Sequence, residues 1–77
     1  MKMQIKVFGQ LTEVLGAHEL QREIVSDTDV LKRNLISEFP DLAGYSFAIA
    51  IDKKIVVSNQ TIREGAVIAL LPPFSGG

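Results

Sequence analysis

Two adjacent prolines, Pro72 and Pro73, follow directly on the apolar run Ala66 to Leu71 and limit how far any last strand of this chain can run. Proline locks φ at about −65° and carries no backbone N–H, so a strand that enters the pair cannot continue its ladder. The chain beyond is expected to leave in an extended, polyproline-like direction. This divides the sequence into a folded domain over residues 1–71 and a flexible tail over residues 72–77. The tail, Pro72 to Gly77, reaches about 20 Å at roughly 3.3–3.6 Å per residue, far enough to enter another protein.

The ending has a distinct chemistry. Gly76 and Gly77 have no Cβ and pass through a slot too narrow for any other residue. The reactive group of such a tail is the α-carboxylate of Gly77. Its attack on the α-phosphate of ATP makes an acyl adenylate, from which a sulfur or nitrogen nucleophile displaces AMP. A frayed terminus of small residues is the plain alternative. The prolines, Phe74 and the apolar run before them make the combination more specific than Gly-Gly alone.

The body must hold itself together by its apolar residues. Seventy-seven residues make one small domain, and without cysteine there is no disulfide or thiolate metal site, so the 47% hydrophobic content supplies the core. The absence of cysteine fits a reducing compartment, and no apolar run approaches the 18 or so residues of a membrane span. A cytoplasmic protein with no membrane partner is the expectation. A formal net charge of −1, without a basic block or interleaved aromatics, argues against nucleic acid as a partner. No charged side chain follows Glu64.

Periodicity gives the order of elements. Met3, Ile5 and Val7 alternate with Lys2, Gln4 and Lys6 in a first strand, with Phe8 an apolar exception on the polar face. Gly9 breaks that strand, Leu11 to Leu15 makes a short helical turn, and Gly16 is its left-handed cap. Glu19 to Val25 is a second strand, charged enough for an edge. Ser26, Asp27, Thr28 and Asp29 are capping residues before a helix whose stripe is Leu31, Leu35, Ile36 and Phe39, closed by Pro40.

Asp41 to Ser46 is expected as a loop. Phe47, Ile49 and Ile51 then alternate with outward Ala48 and Ala50 in a third strand, which Asp52-Lys53-Lys54 turns into a short fourth at Ile55 to Val57. Ser58 to Gly65 is a polar connection with room for one helical turn. Ala66 to Leu71, apolar on both faces, is a central strand. Strand, strand, helix, strand, strand, strand predicts an α+β fold: a β-grasp, ubiquitin-like mixed sheet of about five strands wrapped around one main helix. In that arrangement the first and last strands lie parallel in the middle.

Individual side chains offer little catalytic equipment. His18, the only histidine, stands beside a glycine turn and reads as a surface residue. Ser75 has no base placed to activate it, and Asp52-Lys53-Lys54 reads as a solvated turn. No carboxylate or histidine cluster has metal-ligand spacing, so no metal is assigned. Outward Phe8, Val67 and Leu71, at the root of the tail, form an apolar face and a candidate docking surface.

With these residues in view, the chain resembles the small subunit of molybdopterin synthase, a family of sulfur carriers with a ubiquitin fold. The resemblance spans the whole length and is most specific over Glu64-Gly65 and Ile68-Ala69-Leu70-Leu71-Pro72-Pro73-Phe74-Ser75-Gly76-Gly77. Ile5 to Leu11 and a helix N-cap at Thr28 match more loosely. Two departures stand out: Ala66 and Val67 replace a usual acidic pair, and Asp52 stands where Asn is common. The resemblance implies that Gly77 is adenylated by a ubiquitin-activating-like adenylyltransferase using ATP, then converted to a thiocarboxylate. It implies sulfur transfer to cyclic pyranopterin monophosphate inside the large synthase subunit, within a heterotetramer, with no intrinsic cofactor and no catalysis by this chain alone. Ile55 joins Phe8, Val67, Leu71 and Phe74 as a partner-binding position by the same resemblance. A thiamine-pathway sulfur carrier, whose tails usually lack the diproline, and a ubiquitin-like modifier or binding module are the alternatives.

Overall fold

The structure, a computed structural model, describes residues 1–72. Pro73, Phe74, Ser75, Gly76 and Gly77, and with them most of the expected tail, lie outside the described residues. The order is β1 (Lys2–Val7), α1 (Leu11–Leu15), β2 (Glu19–Glu23), α2 (Thr28–Glu38), a 3₁₀ helix (Pro40–Gly44), β3 (Ala48–Ile51), β4 (Lys54–Val56) and β5 (Val67–Leu71). The five strands form one sheet in the order β2-β1-β5-β3-β4. β1 and β5 run parallel, and every other neighbouring pair is antiparallel. This is the β-grasp arrangement, with β5 at the centre and β2 at an edge, as the pattern predicts.

One face of the sheet makes the core. Ile5 and Ile68 face each other in the parallel ladder, as do Val7 and Leu70, and all four are buried. Leu31 and Leu35 of α2 and Leu11 and Leu15 of α1 join the same cluster, with Ile36 and Phe39 packed at its margin. Each fully buried aliphatic side chain contributes about 1.5–3 kcal/mol by leaving water, which is how a small chain without staples holds together. Gly16 ends α1 with φ 72°, its N–H donating to the Thr12 carbonyl, as a left-handed cap should.

The helix start differs from the expectation by one residue. Asp27 is the cap, its carboxylate accepting from the Val30 N–H at 3.0 Å, whereas Thr28 is the first helical residue and is buried. That hydrogen bond holds the Asp27 carboxyl below the ordinary carboxylate range. The Thr28 hydroxyl faces the connection between β4 and β5, accepting from the Gln60 N–H at 3.0 Å and lying 3.3 Å from Asn59 Oδ1.

Two connections are more structured, or structured otherwise, than their sequences suggest. The segment expected as a loop after Pro40 is a 3₁₀ helix, because proline presets the first helical φ and Leu42, with 0% exposure, anchors the turn in the core. Ser58 to Gly65 contains no helical turn. Its backbone is engaged by the start of α2: Thr28 N–H donates to the Gln60 carbonyl, Ile62 N–H donates to the Ser26 carbonyl, and Asp27 bridges Thr61. Those bonds hold Gln60 to Ile62 in place and bury Ile62, and the chain then turns at Glu64-Gly65, where the Ala66 N–H donates to the Arg63 carbonyl at 3.0 Å. β4 ends at Val56, one residue earlier than expected, and leaves Val57 almost wholly exposed.

A candidate docking face at the root of the tail

The strand pairings place the candidate residues on the sheet face opposite α2. Gln4 opposes Val67, Lys6 opposes Ala69, Ala69 opposes Ala50, Ala50 opposes Ile55, and Ala48 opposes Leu71. Directly opposed side chains share a face. Phe8 continues the β1 register past Val7, its N–H donating to the Leu70 carbonyl at 3.1 Å, and so stands beside Leu71. Val67, Ala69, Leu71, Ala48, Ala50, Ile55 and Phe8 therefore share an apolar patch, with the exposed Lys6 beside Ala69 as the charged side chain at its β1 edge.

Phe8 is 45% exposed, Ile55 49% and Val67 37%, and Leu71 is half-buried. The sequence prediction of an apolar outer face beside the last strand agrees with this arrangement. Its finer geometry comes from the register. Phe8 and Leu71 are side by side where the chain leaves β5. Val67 lies at the opposite end of β5, about 13 Å away, and Ile55 lies two strands to the side, about 10 Å from β5. The five proposed partner-binding residues thus form no compact cluster: two stand at the root, two mark the borders, and Phe74 lies outside the described residues.

Ala50, expected to face outward and leave room for a close neighbour, is only 2% exposed. It stands in the register between Ala69 and the larger Ile55, so the outer face leaves no open space at this position. The outer apolar face therefore runs across β5, β3 and β4.

The border of the patch on the β1–β2 side is polar. Gln4 donates to the Glu19 carboxylate, and Lys2 pairs with Glu23 at 3.1 Å. These pairs lie on the same face as Phe8, so an apolar centre meets a hydrated rim, the usual anatomy of a protein-binding surface. His18 is exposed, on the connection into β2, and its carbonyl accepts from the Val7 N–H at 2.9 Å.

Two residues given no role in the sequence reading bear on this face. Asp52, read as part of a solvated turn, bonds to Val67, the first residue of β5, through its backbone N–H and its carboxylate. Gly9, read only as a strand breaker, lies against Pro72. Parallel pairing of β1 with β5 carries residue 9 alongside residue 72, but that pairing is not visible in either segment alone.

Comparison with known proteins agrees with the fold. A family model described as the ThiS family matches residues 5–77. A Pyrococcus furiosus protein provisionally described as molybdopterin converting factor subunit 1 has a similar structure, with a TM-score of 0.86 at 16% identity, covering 96% of this chain and 99% of that one. Small archaeal modifier protein 1 from Methanosarcina acetivorans gives 0.81 at 21% identity, covering 99% and 96%. At these identities the likeness is one of fold. A complex of subunits 1 and 2 of molybdopterin-converting factor from Helicobacter pylori includes a chain with a TM-score of 0.73 at 26% identity, covering both chains fully.

Proposed function

The chain belongs to the ThiS family, and from that membership we propose that it is a sulfur carrier for molybdenum cofactor biosynthesis, working as the small subunit of molybdopterin synthase. The observation that carries the proposal is the Pro72-Pro73-Phe74-Ser75-Gly76-Gly77 sequence following a central strand beside an exposed apolar face. The structural likeness to a chain of the Helicobacter pylori subunit 1 and 2 complex supports a large-subunit partner.

In this reading the Gly77 carboxylate attacks the α-phosphorus of ATP on a ubiquitin-activating-like adenylyltransferase, and pyrophosphate leaves. A sulfur nucleophile at the oxidation level of hydrosulfide then attacks the acyl carbon, and AMP leaves with the C–O bond electrons. The resulting thiocarboxylate enters the large subunit and gives its sulfur to cyclic pyranopterin monophosphate, and two carriers supply the two sulfurs of a dithiolene. Catalysis and substrate binding belong to the partners. This chain supplies the Phe8, Val67, Leu71 and Ile55 face, with Phe74, for docking, and a tail of Pro72, Pro73, Phe74, Ser75, Gly76 and Gly77 for delivery.

The test is the intact mass of the protein from its own cells and after incubation with ATP, the activating enzyme and a sulfur donor. Replacement of one oxygen by sulfur at Gly77 supports the carrier reading. An unmodified Gly77 carboxylate under both conditions overturns it. An isopeptide-linked Gly-Gly remnant on lysines of other proteins, with no sulfur form, would assign the chain to the modifier class instead.

A further inference from the structure

Gly9 and Pro72 approach more closely than any side chain at position 9 would allow. A Cβ placed on Gly9 would lie 2.8 Å from Cγ of Pro72, 3.3 Å from Cδ and 3.6 Å from Cβ. Carbon atoms in ordinary contact stand about 3.5–4.0 Å apart. A change of ring pucker moves Cγ, but Cδ is bonded to the backbone nitrogen, so relieving both contacts displaces the chain itself.

Gly9 also has φ +61°, a conformation in which glycine is favoured whatever surrounds it. Gly16 separates the two effects, because it has φ +72° and nothing within 4 Å of the corresponding position. At Gly16 the backbone angle alone accounts for the glycine. At Gly9 a second reason exists, and it is Pro72.

The turn that carries Gly9 is held on both sides. Its carbonyl accepts from the Thr12 N–H at 3.1 Å and from the Thr12 hydroxyl at 2.8 Å, and the preceding Phe8 N–H donates to the Leu70 carbonyl. The wall facing the proline ring is therefore tied to α1 at one end and to β5 at the other.

We propose that Gly9 is a positioning residue for the tail: a wall without a side chain, on which the Pro72 ring seats so that the β1–α1 turn sets the direction in which the chain leaves β5. The inference rests on the carrier reading, because the direction matters only for a tail that must enter a partner's slot. A small displacement at the root acts on everything beyond it, and a misplacement of about 1 Å at a reacting group costs up to roughly a hundredfold in rate.

Four variants test this: Gly9→Ala, Gly16→Ala, Pro72→Ala and the double variant Gly9→Ala/Pro72→Ala. Each is measured by thermal unfolding and by pyrophosphate release as the carrier substrate of its activating enzyme with ATP. Gly16→Ala is expected to lose stability through its backbone angle and keep the wild-type KM. Gly9→Ala is expected to lose more stability than Gly16→Ala and to show a kcat/KM lowered roughly tenfold, mainly through KM.

Pro72→Ala leaves only the proline's Cβ, at 3.6 Å, so the double variant should recover the extra stability loss while its KM stays raised, because the seat is gone. Recovery of both together would make the contact merely structural and overturn the proposal. So would Gly9→Ala matching Gly16→Ala in both measurements. If Gly9→Ala does not fold, Pro72→Ala is compared with Pro73→Ala: a wild-type KM in Pro72→Ala, or a KM raised equally in both as loss of a tail contact would give, overturns the proposal, and a KM raised more in Pro72→Ala supports it. A wild-type chain that elicits no pyrophosphate release removes the carrier reading, and the positioning role with it, even where unfolding shows residues 9 and 72 to be coupled.

Discussion

Asp52 and Val67 are joined twice: the Asp52 N–H donates to the Val67 carbonyl at 2.9 Å, and the Val67 N–H donates to Asp52 Oδ1 at 3.0 Å. The turn between β3 and β4 is thereby fastened to the first residue of the central strand, at the end of β5 remote from Pro72. Asp52 makes both bonds at φ 48°, and Lys53 follows at φ 73°. Aspartate and asparagine tolerate this left-handed region better than other residues with a Cβ.

Asp52→Asn should keep Oδ1 as an acceptor and the backbone angle, and should unfold close to the wild type. Asp52→Ala loses the side-chain bond and the tolerance for positive φ, and should be roughly 1–3 kcal/mol less stable. Chemical denaturation of the two variants side by side checks this. Equal loss in both would mean that the carboxylate charge, not the hydrogen bond, holds the turn.

Phe8→Ser and Ile55→Ser remove apolar area from an already exposed face, so both should fold with nearly unchanged stability. Under the proposed function, Phe8→Ser, at the tail root, should weaken binding to the large synthase subunit by roughly 1–2 kcal/mol, and Ile55→Ser, at the border, by less. Titration calorimetry with the purified large subunit measures both, and wild-type affinity in Phe8→Ser would remove Phe8 from the interface.

Leu42→Ala should cost about 2–5 kcal/mol, because Leu42 is fully enclosed although it lies in a five-residue 3₁₀ helix between a proline and a glycine. Thermal unfolding reads the loss. A change of a few tenths of a kcal/mol would mean that the 3₁₀ helix is only a cover over a core complete without it.

Stability should fall with acidification in a window set by lowered carboxyl pKa values. The Arg22 guanidinium beside Glu38, with Nε at 2.9 Å from Oε1, holds the Glu38 carboxyl below its ordinary value. The hydrogen bond from Val30 does the same for Asp27. A lowered folded pKa means that the unfolded chain takes up the proton first, so this stability is present above the unfolded values of about 4 and is lost as pH falls through the lower folded ones. The Arg22–Glu38 pair, with side chains 37% and 43% exposed, is open enough to solvent to be screened and should contribute about 0.2–1 kcal/mol at neutral pH. Glu38→Gln should reduce the slope of stability against pH below about 4, measured by urea unfolding across pH; an unchanged slope would sink the assignment.

The alternation of Met3, Ile5 and Val7, the stripe of Leu31, Leu35, Ile36 and Phe39, and the diproline after Leu71 determined the order of elements, the inward faces and the end of the last strand. Each of these is a local relation, in which residues a few positions apart share a face or a backbone constraint, and such relations are legible along the chain. The enclosure of Leu42 and Ala50, the docking of Gln60 to Ile62 on the start of α2, the grip of Asp52 on Val67 and the approach of Gly9 to Pro72 were decided by the tertiary structure. They depend on segments distant in sequence being set side by side, above all by the parallel pairing of β1 with β5 and the packing of the β4–β5 connection on the start of α2. Neither segment of such a pair records by itself which residues the other will bring.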